Sequence, residues 1–553
     1  MEVKFMIAAT AVLIVAVFAF IAIYIRALKR WRLYIATYTA MIEKGDEPHK
    51  PIPCPALRWN PHQLNYLTKQ GGDNIFRARK SWADAFGGIY GLRASIRFFA
   101  FSRVTPVVET VCVTDHKVAK AVFADWEGMV KRNRNTVFAM EGSCTRVNGD
   151  CWRRQRDVLN QVFSAKRLEG LAPDMICLAQ KCISDISTNF TSSTTHPIVN
   201  VVPYFQRYSI DCTIATVFGT LEPKIHDSIR TEFMSYWRLH RNLDRATESY
   251  NMTVPLRNLQ SIYCDIVSER IMATASASRE RTKSERKRDD KDNSCLLDGM
   301  IQYSFAAKEG EEKAESKMIM SCEEIVANLF SFFTAGFETA AHVMTMAIYS
   351  LAKNPKIQAL VYKEISSSAA STPTLSPSPS SLLPLPFDHI LQCRLLNKVV
   401  KETLRLYPPV MQCSRVSRFC TRLEMADDDK SGDAAKRLVC RNGTLLFIDM
   451  MGAHLSERVW GKSAMEFDPW RWDTPTPKQV QSYMPFGGGG RICVAYTYAL
   501  AEVKIMLAVF LKAFTCELSS DRYRPEFHQA PTLVLRNDMP VRLYRRRLHD
   551  SNI

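Results

Sequence analysis

The sequence predicts a mainly α-helical protein with small β-sheets, set behind a single N-terminal transmembrane helix. Segments with apolar residues at the helical period are long, while strand-like runs are short. The N-terminus opens on an uncharged apolar stretch of membrane-spanning length. A hydrophobic fraction of 46% with 23% charged residues excludes both a polytopic membrane protein and wholesale disorder.

The apolar stretch runs from Phe5 to Ile25. About 21 helical residues at about 1.5 Å rise cross a hydrocarbon core of about 30 Å. A cleaved signal peptide would have a shorter apolar region, about 7 to 15 residues, ending in small residues. Here the run ends in Arg26, Lys29, Arg30 and Arg32, with only Lys4 basic on the other side. The positive-inside bias places the N-terminus in the lumen and the remainder in the cytoplasm. In that reducing compartment the 16 cysteines read as free thiols. None forms a C-x-x-C pair, so no zinc site of the usual spacing is expected. The Asn-x-Thr triplets at Asn189, Asn251 and Asn442 accordingly read as unmodified.

Residues 1–32 therefore form the anchor and its basic flank. Residues 33–56 are a hinge, stiffened by Pro48, Pro51, Pro53 and Pro55, and 57–553 are one large domain. Helical periods occupy 150–168, 325–351, 396–406 and 496–514, and strands 444–448 and 532–535. Three surface insertions interrupt the domain. Residues 279–292 are charged with mixed signs, which favours a solvated loop over a nucleic-acid patch. Residues 366–386 are Ser/Pro-rich and 427–436 polar, and neither can pack a core. The balance of 73 Lys plus Arg against 56 Asp plus Glu, a net +17, favours acidic partners.

The strongest chemical signal is Phe486-Gly-Gly-Gly-Gly-Arg491-Ile-Cys493-Val-Ala495, immediately before a helical segment. A cysteine at a helix N-terminus has reason to be a thiolate, because the macrodipole and unpaired amides stabilise negative sulfur. The glycines let backbone approach that sulfur. A phosphate cradle is the competitor, but no Gly-Lys-Ser/Thr follows, and Ile492 stands where G-x-G-x-x-G needs glycine.

This segment resembles the haem-binding loop of the cytochrome P450 family, Phe-x-x-Gly-x-Arg-x-Cys-x-Gly/Ala, filled by Phe486, Gly489, Arg491, Cys493 and Ala495. Other family signatures follow in order. Ala335-Gly336-Phe337-Glu338-Thr339 resembles the acid-threonine motif for oxygen activation. On its own it reads more readily as a threonine bonded back to its helix with a surface glutamate, and the other motifs turn that reading towards function. Glu402-x-x-Arg405, followed by Pro408 and Pro409, and Arg471 in Phe467-Asp-Pro469-Trp-Arg471 resemble a three-residue network that supports the cysteine loop. Trp152-x-x-x-Arg156 and Arg415 are similar to the family's propionate partners, Arg415 reading equally as a surface cation. The eleven histidines, His342 and His454 among them, show no metal-site spacing and read as structural.

The resemblance implies a cytochrome P450-like fold with 57–553 as the haem-thiolate catalytic domain. It implies haem b ligated by Cys493, with Arg491, Phe486, Trp152, Arg156 and Arg415 binding the cofactor. Thr339 would order oxygen and water, and Glu338 would relay protons. The implied partners are an NADPH-dependent diflavin reductase, with cytochrome b5 as a second donor, O2, a lipophilic substrate and the endoplasmic reticulum membrane. The implied reaction inserts one oxygen atom into a sterol or fatty acid. Sterol 14-demethylation ranks lower, because that subfamily commonly has histidine where Glu338 stands. A desaturase, an isomerase and a catalytically silent haem-binding protein are the alternatives.

Overall fold

The computed structural model of the protein describes residues 41–44, 50–51, 74–86, 88–95, 107–131, 140–241, 254–280, 295–305, 319–367, 386–425, 436–529 and 532–546. The expected anchor at 1–32, most of the hinge at 33–56 and nearly all of the three insertions lie outside these residues. Among the described residues no helix is long and apolar enough to cross a membrane, and no disulfide joins their cysteines.

Among the described residues the architecture is mainly helical with four small sheets. Its axis is the helix Cys322–Lys353, 32 residues long, about 48 Å at 1.5 Å per residue. Ser321 starts it through a capping box: the Glu324 amide donates to the Ser321 hydroxyl at 3.2 Å, and the Ser321 amide donates to the Glu324 carboxylate at 2.9 Å. Pro355 follows the C-cap Asn354 and prevents continuation. The helix is apolar almost all round and so is buried almost all round. It packs against the helices Val202–Phe218, Val254–Glu280, Arg394–Leu406 and Tyr496–Ala513. Phe333 and Phe337 meet Phe218, Phe233, Trp237 and Tyr263 at ring-centroid distances of 5.2–5.7 Å.

Two helix boundaries differ from the sequence reading. The period over 150–168 is split into Gly149–Val162 and Ala165–Ser187, with Ser164 extended as the N-cap between them. Phe163 at the break packs on Phe332 and Tyr498 instead of continuing the turn. The last long helix ends at Ala513, because Phe514 adopts β dihedrals and opens the strand Phe514–Leu518.

The five-stranded sheet positions the site. Its spatial order is Ile89–Ser95, Val107–Val113, Leu445–Asp449, Gln412–Ser417, Met129–Val130. Val130 pairs with Val416 in antiparallel register, so the next residue, Lys131, falls level with Arg415. The helix His116–Ala124 packs into the apolar core beneath this sheet and presents Phe123.

Candidate functional site

The glycine run folds as a tight loop seated on the His116–Ala124 helix. Gly487 and Gly489 have φ of +74° and +61°, a region that other residues rarely occupy. Gly489–Arg491 forms a 3-10 turn, and the Cys493 amide donates to the Phe486 carbonyl at 3.0 Å. A Cβ on Gly488 would lie 2.8 Å from the Phe123 ring, and one on Gly489 would lie 2.5 Å from the Phe123 carbonyl carbon. Glycine is therefore required by close approach as well as by dihedral.

Cys493 is accessible at its surface, yet desolvation raises its thiol pKa, so it lies in a recess open on one side. The helix after it begins at Tyr496 with Ala495 as N-cap. The Ala495 amide acts on the sulfur in the expected direction, and Arg156 and Lys131 add to it, but burial outweighs all three.

Four cations gather beside this recess. Arg156 donates to the Ile492 carbonyl at 2.7 Å. Arg491 donates through Nη2 to the Val147 carbonyl at 3.0 Å and to Asn148 Oδ1 at 2.8 Å. Its guanidinium stacks 4.4 Å above the buried Trp152 ring. Arg415 lies 5.4 Å over Phe123 and is 4% exposed. Lys131 was not singled out from sequence. Its ammonium donates to the Thr145 carbonyl at 3.0 Å, and burial, then Arg415 and Arg491, lower its pKa to about 8. Desolvation likewise lowers the pKa of Arg156 and Arg415, and that of Arg491 to about 10. Among the described residues none of the four has a carboxylate partner. Nε and Nη1 of Arg491 are buried without a hydrogen-bond partner. Uncompensated charge of this kind is costly unless an anion completes it. The residues present therefore fit a bound group with two carboxylates and a thiolate-seeking centre.

The acid-threonine pair divides between two faces of the central helix. Phe332, Ala335, Gly336 and Thr339 are its accessible residues in mid-helix and share one face by their spacing. Thr339 Oγ1 donates to the Ala335 carbonyl at 2.7 Å, the local bond open to any helical threonine. Glu338 is 5% exposed and points elsewhere, accepting from Thr532 Oγ1 at 2.6 Å.

Glu402, Arg405 and Arg471 meet at one carboxylate. Arg405 clasps Glu402 with two bonds of 2.8 and 2.9 Å, and Arg471 Nε reaches the same carboxylate at 2.8 Å. Glu402 and Arg405 are fully buried. Trp472 Nε1 and the Asp468 amide complete the carboxylate at 3.0 and 3.1 Å. The connection to the cysteine loop runs through His454. Arg405 donates to the His454 carbonyl at 2.8 Å, His454 Nε2 accepts from the Met484 amide at 3.0 Å, and the Met484 carbonyl accepts from Gly487 at 3.0 Å. Burial, then Arg405, lowers the His454 pKa to about 3, keeping the ring neutral and able to accept.

Comparison with known proteins agrees with this geometry. The chain matches the family profile described as Cytochrome P450 over residues 101–543. It is 26% identical over 455 residues to 11-oxo-beta-amyrin 30-oxidase of Glycyrrhiza uralensis, covering 79% of this chain and 77% of the relative. It is 24% identical over 464 residues to the putative cytochrome P450 CYP13A2 of Caenorhabditis elegans, covering 79% and 82%. It is 26% identical over 395 residues to the cytochrome P450 monooxygenase claP of Ampulloclitocybe clavipes, covering 67% and 69%. A profile match over most of the chain, joined to the cysteine loop, makes the protein a member of the cytochrome P450 family, haem-thiolate oxidoreductases whose haem iron takes a cysteine ligand.

Proposed function

We propose that the protein is a membrane-anchored monooxygenase that inserts one atom of O2 into a lipophilic substrate, a sterol or a fatty acid. Electrons come from an NADPH-dependent diflavin reductase, with cytochrome b5 as an auxiliary donor. The observation that carries this reading is the group of four cations without a carboxylate among the described residues, Arg415 buried and Lys131, Arg156 and Arg491 partly buried, gathered round an accessible cysteine. Cys493 Sγ would be the iron ligand. Arg156, Arg415, Arg491 and Lys131 would hold the two haem carboxylates, Trp152 fixes the orientation of the Arg491 guanidinium by stacking on it, and Phe486 closes the loop through its carbonyl. Bound there, haem supplies the activation of O2 for insertion into a C–H bond.

Thr339 spends its proton on Ala335, which leaves its oxygen lone pairs to hold water on the accessible helix face. Glu338, adjacent to Thr339 in the helix but held by Thr532 on the neighbouring face, is the residue that relays protons from solvent towards it. Glu402, Arg405 and Arg471 keep the loop in register through His454. A relative named as an 11-oxo-beta-amyrin oxidase supports a lipophilic substrate. Residues 1–32 anchor the chain in the endoplasmic reticulum membrane, 33–56 are the hinge, and 57–553 form the catalytic domain on the cytoplasmic face. The basic cluster from Arg26 to Arg32 after Phe5–Ile25 supports that topology.

The test is turnover of a panel of membrane lipids with reductase, NADPH and 18O-labelled O2. One labelled atom per product molecule is expected. A dehydrogenated or rearranged product without label would replace this reading with a desaturase or an isomerase.

A further inference from the structure

Glu338 shares its face of the central helix with His342 and Thr345, one and two turns further on. All three line a cavity of about 30 Å³, together with Gln206 and the strand Leu533–Leu535. That volume holds about two water molecules at about 10–15 Å³ each. Its wall is mostly apolar, and Gln206, Glu338, His342 and Thr345 supply the polar partners that a buried water needs. Gln206 is half-buried, so the cavity reaches towards solvent at that end.

His342 is the unexpected member. The ring is 7% exposed and its Nε2 is buried with no hydrogen-bond partner. Its other nitrogen is held by the backbone of Tyr407, and burial brings its pKa down to about 4. The ring is therefore neutral, with the Tyr407 bond leaving Nε2 as the acceptor. An unpaired acceptor in a dry apolar wall would be disfavoured, whereas one that lines a water-sized cavity is completed by a water.

We infer that this cavity holds ordered water that reloads Glu338 with protons from the Gln206 side, and that His342 Nε2 is the positioning residue that anchors the water. The inference rests on Glu338 being the proton donor to the Thr339 face. Each time Glu338 gives a proton to that face, its carboxylate takes one from the adjacent water, and solvent restores it through the cavity. His342 accepts a hydrogen bond throughout and does not itself ionise.

The test uses the full-length holoenzyme with His342→Phe and His342→Gln, read first by high-resolution crystallography and then by coupling of NADPH to product. In the native protein one water should lie within about 3.2 Å of His342 Nε2. The Phe variant should lose that water and release several-fold more hydrogen peroxide, with haem content and the carbonyl spectrum unchanged. The Gln variant, which keeps an acceptor, should recover both water and coupling. A dry native cavity, or equal coupling in the Phe variant, would overturn the inference. If His342→Phe does not fold, Thr345→Val is read in the same way. Glu338→Gln separates the two levels. If it uncouples while His342→Phe does not, only the cavity route fails. If it also leaves coupling intact, the role of Glu338 fails, and the cavity route with it.

Discussion

The guanidinium of Arg491 stacks 4.4 Å above the indole of Trp152 while its Nε and Nη1 remain buried without a protein partner. A planar cation is thus held ready for a planar anion. Arg491→Leu should lose at least about tenfold in haem retention, since a charge-assisted hydrogen bond contributes about 1.5–3 kcal/mol. Arg491→Lys should retain an intermediate amount, because an ammonium keeps the charge but cannot stack. Haem-to-protein ratios after purification check this, and full loading of the Leu variant would contradict it.

Gly489 and Gly490 are neighbours with different constraints. A Cβ at Gly489 meets the Phe123 backbone and the residue has positive φ, whereas one at Gly490 lies 3.1 Å from the edge of the Trp152 ring. Gly489→Ala should abolish folded holoprotein, and Gly490→Ala should give reduced but measurable haem incorporation. Equal yields from the two variants would mean that the loop is not seated on Phe123.

Glu402 neutralises two arginines in a fully buried setting. Glu402→Gln leaves Arg405 uncompensated, and breaking a buried pair costs about 3–5 kcal/mol. Lys398 and Asp473 form a more exposed pair, so Lys398→Ala should cost no more than about 1 kcal/mol. Denaturant midpoints at unchanged slope provide the comparison. A Glu402→Gln variant as stable as Lys398→Ala would show that the network is not structural.

Glu502 is buried on the helix that follows the cysteine loop, where Ser209 donates to it at 2.6 Å. Burial nevertheless pushes its carboxyl up to about 8. An unfolded glutamate titrates near about 4.3. Between these values the folded protein binds the extra proton, so this residue's contribution to stability falls as pH rises from about 4.3 to about 8, by up to about 1.4 kcal/mol per pH unit. Glu502→Gln should flatten that slope. Thermal midpoints across the window check it, and identical slopes in the two proteins would refute it.

Legibility in the sequence followed locality. The cysteine loop was readable because its glycines, arginine and cysteine fall within ten residues. The Glu402–Arg405 pair was readable because i,i+3 spacing on a helix lets the two meet and Pro408 and Pro409 follow it as in the family's motif, whereas spacing alone would equally suit a surface pair. Lys131 gave no such signal, since its role depends on strand register with Arg415, far along the chain. Thr532 as the partner of Glu338 is equally non-local, being 194 residues away. The helix break at Phe163–Ser164 escaped the periodicity because packing of Phe163 on Phe332 decides it. Its one local trace is Ser164, a residue type favoured at N-caps.

The central claim is that Cys493 supplies the thiolate that ligates haem iron. The reduced carbonyl spectrum of Cys493→Ser tests it most directly. An alcohol cannot donate electron density as a thiolate does, so the strongly red-shifted Soret band of the native protein should disappear in the variant. A variant that keeps haem and shows an unchanged red-shifted band would place the ligand elsewhere and overturn the assignment of the site.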